Sequence, residues 1–131
     1  MISHQEIKNL AIEWALREDV IEKDYAIGWL LWGIGSEPAL NDFWVFKGGT
    51  SLRKCFMETW RFSEDLDFTV LPGGPVEPGI LGPVIDRIIR KVQDESGIDF
   101  LAVPPKYRHF DRFNSVQGSV YYRGPRNARS V

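Results

Sequence analysis

Three features of the sequence predict an α/β (α+β) domain: elements in the order helix, helix, strand, helix, strand, helix, strands; apolar spacing that switches between helical and strand periods; and turn signals at the switches. The expected architecture is a small mixed sheet flanked by helices, with an N-terminal helix pair over residues 1–36 and an αβ core over residues 43–131. A chain of 131 residues is roughly one domain's length. It buries about two thirds of its unfolded surface, enough for a core without staples.

Ser3-His4-Gln5-Glu6 has capping-box spacing, in which a hydroxyl and a carboxylate satisfy backbone donors at a helix start. Ile7, Leu10, Ala11, Trp14 and Ala15 then recur at three and four residues, predicting a helix through about Arg17. Asp19-Val20-Ile21-Glu22 repeats the start signal, and Gly33, Gly35 and Pro38 end the second helix near Ile34. Phe43 to Lys47 is aromatic and β-branched and stops at Gly48-Gly49, so it reads as a buried strand. Thr50 or Ser51 caps a short helix through about Glu58. Between Arg61 and Val70, Leu66, Phe68 and Val70 alternate with Asp65, Asp67 and Thr69, the period of a strand with one polar face. Leu71 to Gly79 is a turn-rich linker, and Ile80 to Val92 trace a helix ending at Gly97. Strands are expected near Phe100 to Val103 and Val116 to Arg123.

Composition removes several function classes. One cysteine, Cys55, and two separated histidines, His4 and His109, leave no disulfide framework and no CxxC or HExxH zinc site. The cytoplasm is therefore the expected compartment. The longest apolar run, Ala26 to Gly35, is half of what a spanning helix needs, and the N-terminus lacks a signal peptide's apolar stretch. No membrane partner is expected. The formal charge of −2 conceals an asymmetry, because residues 106–131 hold six basic side chains and one acidic. A field of that sign favours a phosphate-bearing partner, though a solvated surface segment has the same composition.

Chemistry concentrates in Phe46-Lys47-Gly48-Gly49-Thr50-Ser51-Leu52-Arg53-Lys54, followed by Asp65-Leu66-Asp67. Carboxylates two positions apart on a strand share a face, with Cα atoms about 6.5 to 7 Å apart, and can converge on hard divalent cations. Magnesium, or manganese in its place, suits such a pair because it keeps waters and binds substrate phosphates rather than a full protein cage. Glycines without Cβ let backbone approach a triphosphate, while Thr50 and Ser51 present hydroxyls and helix N-terminal amides to it. Either half alone is ordinary, since GG before TS is often only a turn and DLD often a half-exposed strand. Together, with Arg53, Lys54 and Arg61 nearby in sequence, they favour a site for metal and nucleotide. No GxxxxGK[ST] or GxGxxG pattern occurs.

Phe46 to Phe68 (FKGGTSLRKCFMETWRFSEDLDF), preceded by Glu22-Lys23-Asp24-Tyr25, resembles the AbiEii/AbiGii toxin family of nucleotidyltransferase-fold proteins. These are toxins of type IV toxin-antitoxin and abortive-infection systems, grouped with the MenT toxins. The resemblance extends more loosely to Pro104-Pro105-Lys106-Tyr107 and to the Tyr121 to Pro125 strand end. It implies transfer of a nucleoside monophosphate from an NTP, with Mg²⁺, to an RNA acceptor that in related toxins is the 3′ end of tRNA. By position, Asp65 and Asp67 are the catalytic metal ligands, and Gly48, Gly49 and Ser51 hold the triphosphate. Lys23, Lys47, Arg53 and Arg61 are further candidates for phosphate contacts.

Two departures from the family pattern stand out. Fifteen residues separate Gly49 from Asp65, against roughly nine to thirteen in the general fold signature, so a longer connecting helix is expected. The resemblance also implies a third carboxylate and a lysine on a following strand, and the chain ends at Ser130-Val131 about where that strand begins. That ligand is expected beyond Val131, making this the N-terminal nucleotide-binding part of a larger protein or a natural truncation. Asp111, the only carboxylate after residue 100, reads as a surface or turn residue. An unpaired sheet edge would permit a homodimer. Alternatives are a catalytically incomplete nucleotide (GTP)-binding module with an RNA-gripping tail, and an antitoxin-interaction fragment in which Trp29, Trp32 and Trp60 bury a partner. Trp29 and Trp32, three apart on one helix, read more simply as core.

Overall fold

The N–H of Glu6 donates to Ser3 Oγ at 3.1 Å and the N–H of Ser3 donates to Glu6 Oε2 at 3.1 Å, the capping box expected from the sequence. Helix α1 (His4–Trp14) starts from it and seats Ile7 in the interior. The computed structural model describes residues 1–47, 67–110, 115–126 and 129–130. Helix α2 (Glu18–Gly35) follows, then a short α3 (Pro38–Asn41), β1 (Trp44–Lys47), β2 (Asp67–Val70), α4 (Pro78–Ser96), β3 (Lys106–Phe110), β4 (Ser115–Ser119), β5 (Tyr122–Arg123) and β6 (Arg129–Ser130).

The class is α+β, as expected, and α1 with α2 forms the N-terminal helix pair. His4 Nε2 lies 2.9 Å from Glu18 Oε1, and the N–H of Ile2 donates to the Tyr25 hydroxyl at 3.1 Å, so two polar contacts fasten α1 to α2. Among the described residues the strands form three antiparallel two-stranded ladders, β1–β2, β3–β4 and β5–β6, rather than one mixed sheet.

The core lies where α2 crosses α4 and where Leu40, Ile98, Phe100 and Tyr122 close around them. Gly33 is the point of closest approach. A Cβ there would stand 2.5 Å from Val92 Cγ2 and 2.9 Å from Ile88 Cγ2, so the crossing requires glycine. Helix α4 places Leu81, Val84, Ile88, Ile89 and Val92 on its buried stripe and ends at Gly97, whose φ of 78° is the left-handed cap read from the sequence.

Four expectations are corrected. The Asp19–Glu22 capping box does not form: Arg17 is the N-cap without a side-chain bond, and Asp19 instead takes the Arg17 guanidinium at 3.0 Å. Glu22 is turned into the interior. Pro38 does not merely stop α2; it opens α3, with Glu37 Oε1 accepting from the N–H of Ala39. The strand expected near Phe100 to Val103 is a turn, because Asp99 Oδ1 accepts from the N–H groups of Leu101 (3.0 Å) and Ala102 (3.1 Å), leaving only a bridge between Asp99 and Arg123. Trp32 is not core: it is 41% exposed, stacks edge-on against half-buried Trp29, and carries Lys91 Nζ 5.0 Å from its ring centroid. The helix expected after Gly49, Trp60 and Asp111 lie outside the described residues.

Candidate functional site

The β1–β2 ladder joins the two halves of the sequence motif. Its register pairs Trp44 with Val70, Val45 with Thr69, Phe46 with Phe68 and Lys47 with Asp67. The last pair puts Asp67 opposite Lys47, the residue before Gly48-Gly49 in the chain. Strand alternation separates two faces. Trp44, Phe46, Phe68 and Val70 are half-buried, whereas Val45, Lys47 and Thr69 are exposed.

Ring stacking fixes the inner face. Phe68 lies 5.1 Å from Trp44 and 5.4 Å from Phe46 between centroids, distances at which tilted aromatic pairs attract. The Trp44 indole N–H donates to the Pro75 carbonyl at 3.3 Å, and the N–H of Leu71 to the Phe43 carbonyl at 2.7 Å, extending the pairing one step past the strands. A Cβ on Gly74 would fall 2.5 Å from Val70 Cγ1 and 2.7 Å from Phe43 Cβ, so the linker glycine lets the turn fold back against the ladder.

Behind this inner face is a cavity of about 780 Å³ bordered by α2, α4 and both larger ladders. Trp44, Phe68, Phe110 and Tyr122 contribute rings to it, and Lys23, Tyr107, Ser115, Gln117 and Ser119 contribute polar groups. Tyr107 Oη is buried without a hydrogen-bond partner among the described residues. Burial, reinforced by the Asp86 charge, pushes its pKa above the usual tyrosine value.

Of the predicted site residues, the structure brings Lys47 and Asp67 into register and places Lys23 on the cavity side, away from the exposed face that carries Lys47. Gly48, Gly49, Thr50, Ser51, Arg53, Arg61 and Asp65 lie outside the described residues. Among the described residues no group of three or more His, Cys, Asp or Glu is assembled for a metal, and no helix is long and apolar enough to cross a membrane.

The Glu22-Lys23-Asp24-Tyr25 stretch divides its tasks. Glu22 is fully buried, and its Oε2 accepts from the N–H of Arg126 at 2.9 Å and from Arg126 Nε at 3.3 Å. Gly124 makes room for this pair, since a Cβ there would be 2.7 Å from Glu22 Cδ. Glu22 therefore fastens the turn after β5 to α2, a link between residues 104 positions apart. Nothing local in the sequence signals it. Asp24 is buried as well, and Tyr25 receives the N-terminal backbone.

A comparison with protein families finds that the family described as nucleotidyl transferase AbiEii toxin, type IV TA system, matches residues 29–125. No curated protein and no solved structure gives a match.

Proposed function

This chain belongs to the AbiEii family of nucleotidyl transferase toxins of type IV toxin-antitoxin systems, and from that premise we propose that it transfers a nucleoside monophosphate from an NTP to the 3′ end of an RNA, with tRNA the acceptor. The family implies a cognate antitoxin as partner. The observation that carries the reading is the Lys47–Asp67 register pair, which sets Asp67 opposite the residue that precedes Gly48 in the chain.

In the proposed reaction a terminal hydroxyl oxygen of the RNA bonds to the α-phosphorus. The bond from that phosphorus to the β-phosphate bridging oxygen breaks, pyrophosphate leaves, and the hydroxyl proton is released. Gly48 and Gly49 admit the triphosphate to backbone, and Thr50 and Ser51 supply hydroxyls and amides to it. Lys47, Arg53 and Arg61 offset phosphate charge. Lys23, on the cavity side of the ladder, is the weakest of these phosphate candidates. Asp65 and Asp67 would hold magnesium, which supplies charge neutralisation at the transferring and leaving phosphates.

The test is incubation of the chain with each labelled NTP in turn, Mg²⁺ and total tRNA, with Asp67→Asn as control. Label should move to RNA with one or a few NTPs and should stay free with the variant. Mg-dependent NTP binding without transfer would replace this reading with a GTP- or other nucleotide-binding module. Pairing of two copies through a free strand edge is part of the same proposal, and size-exclusion chromatography showing a strict monomer at high concentration refutes it.

A further inference from the structure

We propose that the face of the β3–β4 ladder that carries Lys106 and Arg108 is a docking platform for single-stranded RNA, the acceptor strand of the reaction above, on which reading this assignment rests. Strand alternation puts Lys106, Arg108 and Phe110 on one face and Tyr107 and His109 on the other. The register sets Ser119, Gln117 and Ser115 opposite the first three. The face thus presents two cations and a ring beside two hydroxyls and an amide, with Lys106 and Arg108 turned to solvent and Phe110, Ser115, Gln117 and Ser119 also bordering the cavity. Neither strand contains a carboxylate. Lys106 and Arg108 are exposed, and neither forms an ion pair with a described residue.

Both cations are held beside aromatic rings. The Arg108 guanidinium carbon lies 4.8 Å from the Phe110 centroid, and Lys106 Nζ lies 6.0 Å from that of Tyr121. A guanidinium resting on a ring is held in place by cation–π attraction and offers its outer plane to a base, while its N–H groups and the lysine ammonium reach phosphates. Two cations on alternate residues of a strand stand about 6.5 to 7 Å apart, so they track along a chain of phosphates rather than concentrate on one. Ser115, Gln117 and Ser119 complement this with uncharged donors and acceptors suited to ribose hydroxyls and base edges.

This chemistry favours RNA with unpaired bases over the alternatives. A duplex hides its base faces and would use only the charges, and an acidic peptide would leave the stacking plane idle. The ladder also opens the segment in which the sequence turns basic, with six cations to one carboxylate from residue 106 onward.

The experiment measures anisotropy of a labelled, unstructured oligoribonucleotide against KCl concentration, without NTP or Mg²⁺, for the chain and for Lys106→Ser/Arg108→Ser. Removing two phosphate contacts should flatten the slope of log K against log[KCl] by about 1.4, at roughly 0.7 per contact on single strands, and weaken binding at low salt by at least about tenfold. Melting temperature should not move, because both side chains are exposed. Arg108→Lys should restore most of the slope while leaving affinity below that of the unaltered chain, since the charge returns without the stacking plane. Parallel salt lines, or equal or tighter binding of a blunt duplex or of polyglutamate, would overturn the platform. The transfer assay separates the two claims: transfer intact with parallel salt lines removes the platform alone, and oligonucleotide binding intact without transfer removes the reaction alone.

Discussion

The β1–β2 and β3–β4 ladders are both antiparallel and two-stranded, and both border the same cavity, yet they are built on opposite terms. The inner face of β1–β2 is ring against ring, with Phe68 touching both Trp44 and Phe46. The inner face of β3–β4 brings a tyrosine hydroxyl without a hydrogen-bond partner among the described residues. Outward, the first ladder shows Val45, Lys47 and Thr69, whereas the second shows Lys106 and Arg108 over rings. On the proposed function, the first ladder would hold phosphate-binding backbone in register against a rigid aromatic back, and the second would receive a flexible RNA strand on a charged front.

The largest effect that separates the ladders is on transfer. Asp67→Asn should reduce nucleotidyl transfer by at least about a hundredfold, since even indirect supports of a metal site cost tenfold to a hundredfold. Oligoribonucleotide affinity measured without Mg²⁺ should not change. Folding should survive, because the substitution removes an acidic charge beside Asp65. A sharply lowered melting temperature would instead make Asp67 a structural residue.

Stability should respond unequally to the two inner faces. Phe68→Ala removes the ring common to both stacked pairs and should cost about 2 to 3 kcal/mol in urea unfolding, below the roughly 3–5 of a fully buried phenylalanine because Phe68 is half-buried. Tyr107→Phe should do the reverse. It deletes a buried hydroxyl that has no hydrogen-bond partner among the described residues, without changing ring volume, so the unfolding free energy should rise by up to about 1 kcal/mol. A loss of stability in Tyr107→Phe would show that the hydroxyl has a partner in solution, and the contrast between the ladders would shrink.

What was legible in the sequence was local. The Ser3–Glu6 box, the α4 stripe ending at Gly97, and the alternation around Phe68 are each specified within a few residues and appear as read. Glu22 was misread because capping-box spacing is also local, and a link to Arg126 across 104 positions overrides it. The strand near Phe100 was misread because Asp99 bonds its own backbone two and three residues on, an alternative to pairing that apolar composition conceals. β3 was not among the expected strands, although K-Y-R-H-F alternates charged and aromatic residues with a strand period. The site was legible as two motifs. Their meeting at Lys47 and Asp67 is a matter of register, which no spacing along the chain encodes.

The smallest predicted effect separates the ladders by their approach segments. β1 is reached through α3, whose cap residue Glu37 receives Arg87 of α4 at 2.8 Å, and no such pair guards the entry to β3 among the described residues. The hydrogen bond from Arg87 is the main reason the Glu37 carboxyl sits below its ordinary value of 4.5, with burial opposing and the Ala39 amide assisting. A carboxyl whose pKa is lowered by folding contributes stability that is complete above its unfolded value and is lost as pH falls through the folded one. Below about pH 4.5, therefore, the α3–α4 link should loosen first, and amide exchange should rise in β1 before it rises in β3. Arg87 is largely exposed, so solvent screening keeps the effect small. Arg87→Gln should lower the melting temperature slightly at neutral pH and flatten its decline under acid. An unchanged acid profile in that variant would assign the sensitivity to other carboxylates and leave the two approaches equivalent.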